Sequence, residues 1–201
     1  MFESIKINKS TPSGISKSKK IITLCNSFRL YNEYVNSLKY RNNEKYLKIP
    51  HYLITREGKI FNFLNNLEYS NILNSESLNR DSVIVVLENL GWLEKIPLTN
   101  HYLNWIGNIY KEEVYERKWR DFFFWHPYTD IQVEKCAELC NHLINELNIN
   151  RKCIGHNTKV EGIENFSGII SRSNIHEDFT DLSPAFDFKL FEEKLKAYES
   201  V

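Results

Sequence analysis

The apolar positions of this chain alternate between short β-like runs and two stretches of helical period. Ile21-Ile22-Thr23-Leu24-Cys25 is β-branched and apolar, which predicts a buried strand, and Leu30, Tyr34, Val35 and Leu38 then recur at helical spacing within residues 28–38. Residues 51–54 and 59–64 flank Arg56-Glu57-Gly58, a short glycine-containing turn, and so predict a β-hairpin. The next stretch, 65–80, is crowded with Asn and Ser, which compete for backbone hydrogen bonds and favour a long surface loop. Residues 82–87 are nearly all Val, Ile and Leu, the run expected of a central strand buried on both faces.

Thr129 followed by Gln132 opens the most regular helix pattern, with Ile131, Val133, Cys136, Leu139, Cys140, Leu143, Ile144 and Leu147 along one face. A last helix is predicted from 185 or 187 to 198, burying Phe188, Phe191 and Leu195. Strand-helix alternation of this kind implies an α/β domain, a central mixed β-sheet flanked by helices on both faces. One domain over 20–201 is expected, after a leader over 1–19 whose turn formers at 10–16 read as mobile.

Composition sharpens this picture in two places. The chain has 201 residues, 42% of them hydrophobic and 13% aromatic, enough for one sizeable core. All four tryptophans, Trp92, Trp105, Trp119 and Trp125, fall within 92–126, beside Phe122, Phe123 and Phe124. Such density is read mainly as core, with one or two rings free to rim a site and stack on sugars.

Charge and cysteine usage mostly exclude. Net charge is zero, although the first 50 residues carry ten Lys/Arg against three Asp/Glu, +7, leaving −7 for the remainder. The lysines are scattered, only Lys17, Lys19 and Lys20 clustering, so a solvated basic arm is expected and nucleic-acid binding is not. No apolar run is long enough to span a bilayer, and the opening Met1-Phe2-Glu3-Ser4-Ile5-Lys6 lacks the order of a signal peptide. A cytoplasmic location, with Cys25, Cys136, Cys140 and Cys153 as reduced thiols outside any CxxC pair, is therefore expected, for a phage product made in a bacterial host as much as for any other source.

The chemistry-bearing residues lie late in the chain. Gly155-His156-Asn157 and, further on, Thr180-Asp181-Leu182-Ser183-Pro184-Ala185-Phe186-Asp187-Phe188 place an imidazole after a glycine and a carboxylate ahead of a proline turn. These two motifs resemble the closing signature of the N-acetylmuramoyl-L-alanine amidase family, which includes phage lysozyme-like amidases and peptidoglycan recognition proteins. The hairpin at 51–60 and the strand at 82–91 resemble that family's early hairpin and central strand, so the likeness covers about residues 20–195 in order.

This resemblance implies a zinc site with three protein ligands and a water, acting on the muramoyl-alanine amide of peptidoglycan. His156 and Asp181 fall on two ligand positions. The third belongs to a histidine at the end of the first strand, and Cys25 stands there, either as a zinc thiolate or as a buried structural cysteine. Val86 replaces the central-strand glutamate and Phe179 the lysine two before the aspartate. Glu88, two residues beyond Val86 and on the same strand face, is then the candidate displaced base.

His51, Arg172, Asn174 and His176 are candidate contacts to a polar or anionic ligand, the last three on the long link between the two motifs. Three readings stay open: a zinc amidase acting on a peptidoglycan fragment, a binding module for a peptidoglycan fragment or other small polar molecule, and a metal-free cysteine hydrolase built from Cys25, His156 and Asp181.

Overall fold

The computed structural model describes residues 3–5, 7, 14–41 and 46–198. In chain order its elements are β1 (Glu3–Ser4), β2 (Ile21–Asn26), α1 (Tyr31–Tyr40), β3 (Tyr52–Ile54), β4 (Ile60–Asn62), α2 (Glu76–Asp81), β5 (Ser82–Leu87), β6 (Trp92–Lys95), β7 (Tyr102–Asn104), β8 (Ile109–Tyr110), β9 (Tyr115–Trp119), β10 (Phe122–Trp125), α3 (Asp130–Leu147), β11 (Gly168–Ser171) and α4 (Phe188–Ala197). Two sheets result. A six-stranded mixed sheet has the order β1-β4-β3-β5-β2-β11, and a five-stranded antiparallel sheet has the order β8-β7-β6-β10-β9.

The larger sheet is organised by β2 and β5, which pair in parallel from Ile21 opposite Ser82 to Asn26 opposite Leu87 and are buried along their whole length. Their side chains alternate between two cores. Leu24, Val83, Val85 and Leu87 pack with Val133, Leu139, Leu143 and Phe191 of α3 and α4. Cys25, Ile84 and Val86 pack on the other face with Tyr34, Val35 and Leu38 of α1. Apolar content on both faces of a strand demands cover on both faces, and this is the predicted layering.

Helix α3 begins where the capping pattern places it, the Thr129 hydroxyl accepting from the Gln132 N–H at 3.2 Å. The Gln132 side chain does not reach back to complete a capping box. Its Nε2 donates to the carbonyls of Ile54 (3.1 Å) and Glu88 (3.0 Å), which fastens the start of the helix to the carboxyl ends of β3 and β5.

Several expectations give way to local geometry. α1 starts at Tyr31 rather than near 28, because Phe28 adopts a left-handed φ of 54° and Leu30 is extended. The 65–80 stretch carries the short α2 at its end, with the Ser75 hydroxyl at its cap. Residues 92–126 build the second sheet rather than filling the first core, and of the four tryptophans Trp125 is the fully buried one. The leader, expected to be mobile, is docked in its described parts. Glu3 and Ser4 pair with Phe61 and Asn62, and the buried Lys19 Nζ donates to the carbonyls of Glu68 and Arg80, both at 2.8 Å. Residues 8–13 lie outside the described residues. All four cysteines are free thiols, and no described helix is long and apolar enough to cross a membrane.

Candidate functional site

The carboxyl ends of the parallel strands converge on a sealed, charged centre. Asp181 is fully buried, and both of its carboxylate oxygens are engaged: one accepts from the Asn26 N–H and the other from Arg172 Nε, each at 2.7 Å. Arg172 follows β11 directly, and its guanidinium lies 4.5 Å from the Phe179 ring centre and 5.8 Å from that of Phe28. Burial works against the guanidinium charge, and the Asp181 carboxylate more than offsets this, holding the Arg172 pKa above its ordinary value.

Cys25 and Tyr34 complete this centre from β2 and α1. Burial pushes the Cys25 thiol well above its usual range, so it is a neutral thiol, and the Tyr34 phenol is pushed up for the same reason. The five-stranded sheet closes the centre from outside. Trp105 donates its indole N–H to the Phe28 carbonyl (2.5 Å), and Arg120, stacked 4.4 Å from the Trp119 ring centre, donates to the carbonyl of Phe179. At Phe28 the left-handed backbone is held against Gly91, where an added Cβ would lie 2.6 Å from the Phe28 ring.

An open cleft of about 650 Å³ lies beside this centre. Tyr115, Arg117 and Trp119 of β9 form one wall, Gly155 to Asn157 and the turn from Pro184 to Phe188 another, and Tyr128, Asp130 and Val133 at the start of α3 a third. Tyr128 ties cleft to centre by donating to Asn26 Oδ1 at 2.5 Å. His156 belongs to the cleft. It is exposed, and its Nδ1 accepts from the Thr158 N–H at 3.2 Å.

A family model for N-acetylmuramoyl-L-alanine amidases matches residues 22–168. The chain belongs to this family. A search of the curated proteins finds no significant match. Among solved structures, the amidase LysC from Clostridium intestinale URNW is similar over 100% of this chain and 99% of its own, with 12% identity and a TM-score of 0.56. AmiA from Staphylococcus aureus, in complex with its ligand, matches 100% of this chain and 85% of its own at 9% identity and TM-score 0.59. AmiD from E. coli, in complex with a muramoyl-peptide substrate, matches 93% and 61% at 13% identity and TM-score 0.58. At such identities what is shared is the fold.

Against the amidase family's zinc chemistry, the donor set at the three implied positions does not fit. Zinc takes deprotonated or lone-pair donors with free access. Here the Asp181 oxygens are taken by an N–H and a guanidinium, the cation of which repels a second cation, and the Cys25 side chain is fully buried. His156 bonds elsewhere, and among the described residues no three His, Cys, Asp or Glu side chains are grouped to hold a metal.

The remaining candidates from sequence are likewise placed in other roles. Glu88 is buried and spans two backbone donors, Tyr31 N–H at the start of α1 (2.7 Å) and Arg56 N–H in the hairpin turn (3.0 Å), and it lines a second cleft with Thr55, Lys59 and Phe61, apart from His156. His51 is fully buried, its Nδ1 accepting from the Ile84 N–H (2.9 Å), which leaves Nε2 to donate to the Glu68 carbonyl (2.9 Å). Asn174, also fully buried, holds the His156 loop by donating to the carbonyls of His156 (2.8 Å) and Thr158 (2.7 Å). His176 is exposed and pairs with Asp178 at 3.3 Å. Arg172 meets an anion, but the anion is Asp181. On the β9 wall, Trp119 is one of the tryptophans expected to rim a site, whereas Tyr115 and Arg117 were missed, for which the cluster of aromatics with interleaved Arg and Lys was the available signal.

Proposed function

We propose that this amidase-family chain binds a peptidoglycan-derived muramoyl peptide in the open cleft and does not hydrolyse it. The observation that carries the reading is the engagement of both Asp181 oxygens by Asn26 and Arg172, which leaves the family's metal position filled by an internal ion pair. With both oxygens so engaged, Asp181 has none to offer a metal that would activate water or polarise an amide carbonyl. The cysteine-hydrolase reading fails on Cys25, since a buried, neutral thiol is neither a nucleophile nor accessible.

The ligand class is supported by family membership and by the chemistry of the cleft. Tyr115, Trp119, Tyr128 and Phe188 offer aromatic faces suited to sugar rings, while Asn157, His156 and Arg117 offer polar contacts. The substrate held by AmiD, anhydro-N-acetylmuramic acid-L-Ala-D-gamma-Glu-L-Lys, is a suitable probe. Calorimetric titration with this compound, followed by mass spectrometry of the mixture, tests the reading. Saturable binding with the amide intact, unchanged by a chelator, is the expected result. Release of free peptide would overturn the non-hydrolytic assignment, and absence of binding would overturn the ligand class.

A further inference from the structure

The five-stranded sheet holds a hollow of its own, which shares no lining residue with the cleft. β6 and β10 pair at Trp92 opposite Trp125 and at Leu93 opposite Phe124. Beyond these two positions the strands part, although β6 runs on to Lys95 and β10 begins at Phe122. Glu94 and Lys95 pair with β7 instead, and Phe122 pairs with β9. The hollow left between them measures about 360 Å³, a size suited to a small ligand.

Aromatic rings wall this hollow. Trp92 and Phe122 are stacked, with ring centres 4.5 Å apart and planes 12° from parallel, and the fully buried Trp125 meets Phe122 edge-on at 5.8 Å. Both rings of the stacked pair are only half-buried, and Phe123 beside them is 48% exposed. Rings held in place before a ligand arrives lose little freedom when it binds.

The charges at the rim decide what kind of ligand fits. The exposed carboxylates of Glu94 and Asp121 form no hydrogen bond or ion pair with any other described residue, and an ionised carboxylate can only accept. Cations already stand over the rings: Lys95 Nζ lies 5.9 Å from the centre of Phe124, and Lys118 Nζ 5.5 Å from that of Phe123. These two lysines balance the two acids and oppose a cationic guest at the rings. The complement is an uncharged molecule with an apolar face for the rings and O–H donors along its edge. A sugar ring, with C–H groups on its face and hydroxyls around it, has this form.

We propose that the hollow between β6 and β10 binds a neutral saccharide, its ring lying against Phe123 and the Trp92–Phe122 pair and its hydroxyls donating to Glu94 and Asp121. The site is separate from the cleft and does not depend on the binding function proposed above.

The test is calorimetric titration of the full chain with a tetramer of β-1,4-linked N-acetylglucosamine, which is neutral, and with choline, a cation of the kind that aromatic rings take up. Saturable binding of the tetramer and none of choline is expected. Phe123→Ala should weaken tetramer binding about tenfold by removing a stacking face, and Glu94→Ala and Asp121→Ala about fivefold each by removing an acceptor. All three positions are exposed, so an unchanged thermal midpoint confirms that folding is intact. Excess muramoyl peptide should leave the tetramer affinity unaltered. Absence of tetramer binding, wild-type affinity in all three variants, competition by the muramoyl peptide, or binding of choline in place of the tetramer would each overturn the saccharide site. If the muramoyl peptide itself does not bind, the function proposed for the cleft falls, and the three variants still decide this site.

Discussion

The sealed centre and the open cleft treat charge in opposite ways. In the centre, Arg172 and Asp181 neutralise each other out of water, with the remaining carboxylate oxygen satisfied by a backbone N–H. In the cleft, the exposed side chains of Arg117 and Asp130 form no hydrogen bond or ion pair with any other described residue. A buried pair is costly to break but offers nothing to a ligand, whereas a solvated unpaired charge costs the fold little and is free to meet one. The difference separates what this domain uses to hold its shape from what it has left over to recognise something else.

The largest expected way to break that contrast is acid. Burial, helped by Lys19 for His51 and by Arg56 for His126, lowers both histidine pKa values from 6.5 to about 3. Both are therefore neutral in the folded protein, while in the unfolded chain they take up protons below about pH 6.5. Stability is full above that pH and falls as pH drops toward 3, by up to about 1.4 kcal/mol per pH unit for each histidine. His51 sits within the six-stranded body, and His126 joins it to the five-stranded sheet through the Leu90 N–H (3.3 Å) and Arg56 (3.3 Å). Urea midpoints from pH 7 to pH 4 should show the decline, with a shallower slope in His126→Asn. A flat profile would mean that these rings are not held neutral.

Next in size is the ion pair. Asp181→Ala leaves the Arg172 guanidinium buried without its partner, an expected loss of about 3–5 kcal/mol in unfolding free energy. Arg117→Gln in the cleft should change stability by less than about 0.5 kcal/mol. Equal effects of the two substitutions would erase the distinction between the regions. Denaturant titration of both variants under the same conditions makes the comparison.

Much of this fold is legible in the sequence, and the reasons are local. The apolar runs of β2 and β5 and the three-and-four spacing of α3 each carry their own period, so element type follows without tertiary information. The second sheet was missed because β9, with its Tyr-Glu-Arg-Lys-Trp sequence, is exposed on four of five positions and shows no clean apolar alternation. The family motifs pointed to Asp181, which the structure places fully buried against Arg172, and the departures at Cys25, Val86 and Phe179 were visible as departures. The partner of Asp181 was not visible, because Arg172 meets it through a turn between β11 and the Asp181 segment that no sequence period describes.

Smaller again is the expected effect at Glu88. Its two oxygens take N–H groups from α1 and from the hairpin turn, so Glu88→Gln, which presents an amide donor to one of them, should cost about 1–3 kcal/mol of stability. Affinity for the muramoyl peptide should be unchanged. A loss of binding or of any turnover without a loss of stability would return Glu88 to the functional site and move the border between centre and cleft.

The central claim, that an arginine–aspartate pair stands at the position where this family holds its metal, is tested most directly by zinc stoichiometry. Protein equilibrated with excess zinc, freed of loosely held ion by gel filtration and assayed by elemental analysis, should retain well under one zinc per chain. Arg172→Ala combined with Cys25→His, measured alongside, removes the competing cation and supplies the family's usual donor, and it should retain more metal than the wild type. Retention of about one zinc per chain by the wild-type protein, lost on Asp181→Asn, would contradict the account.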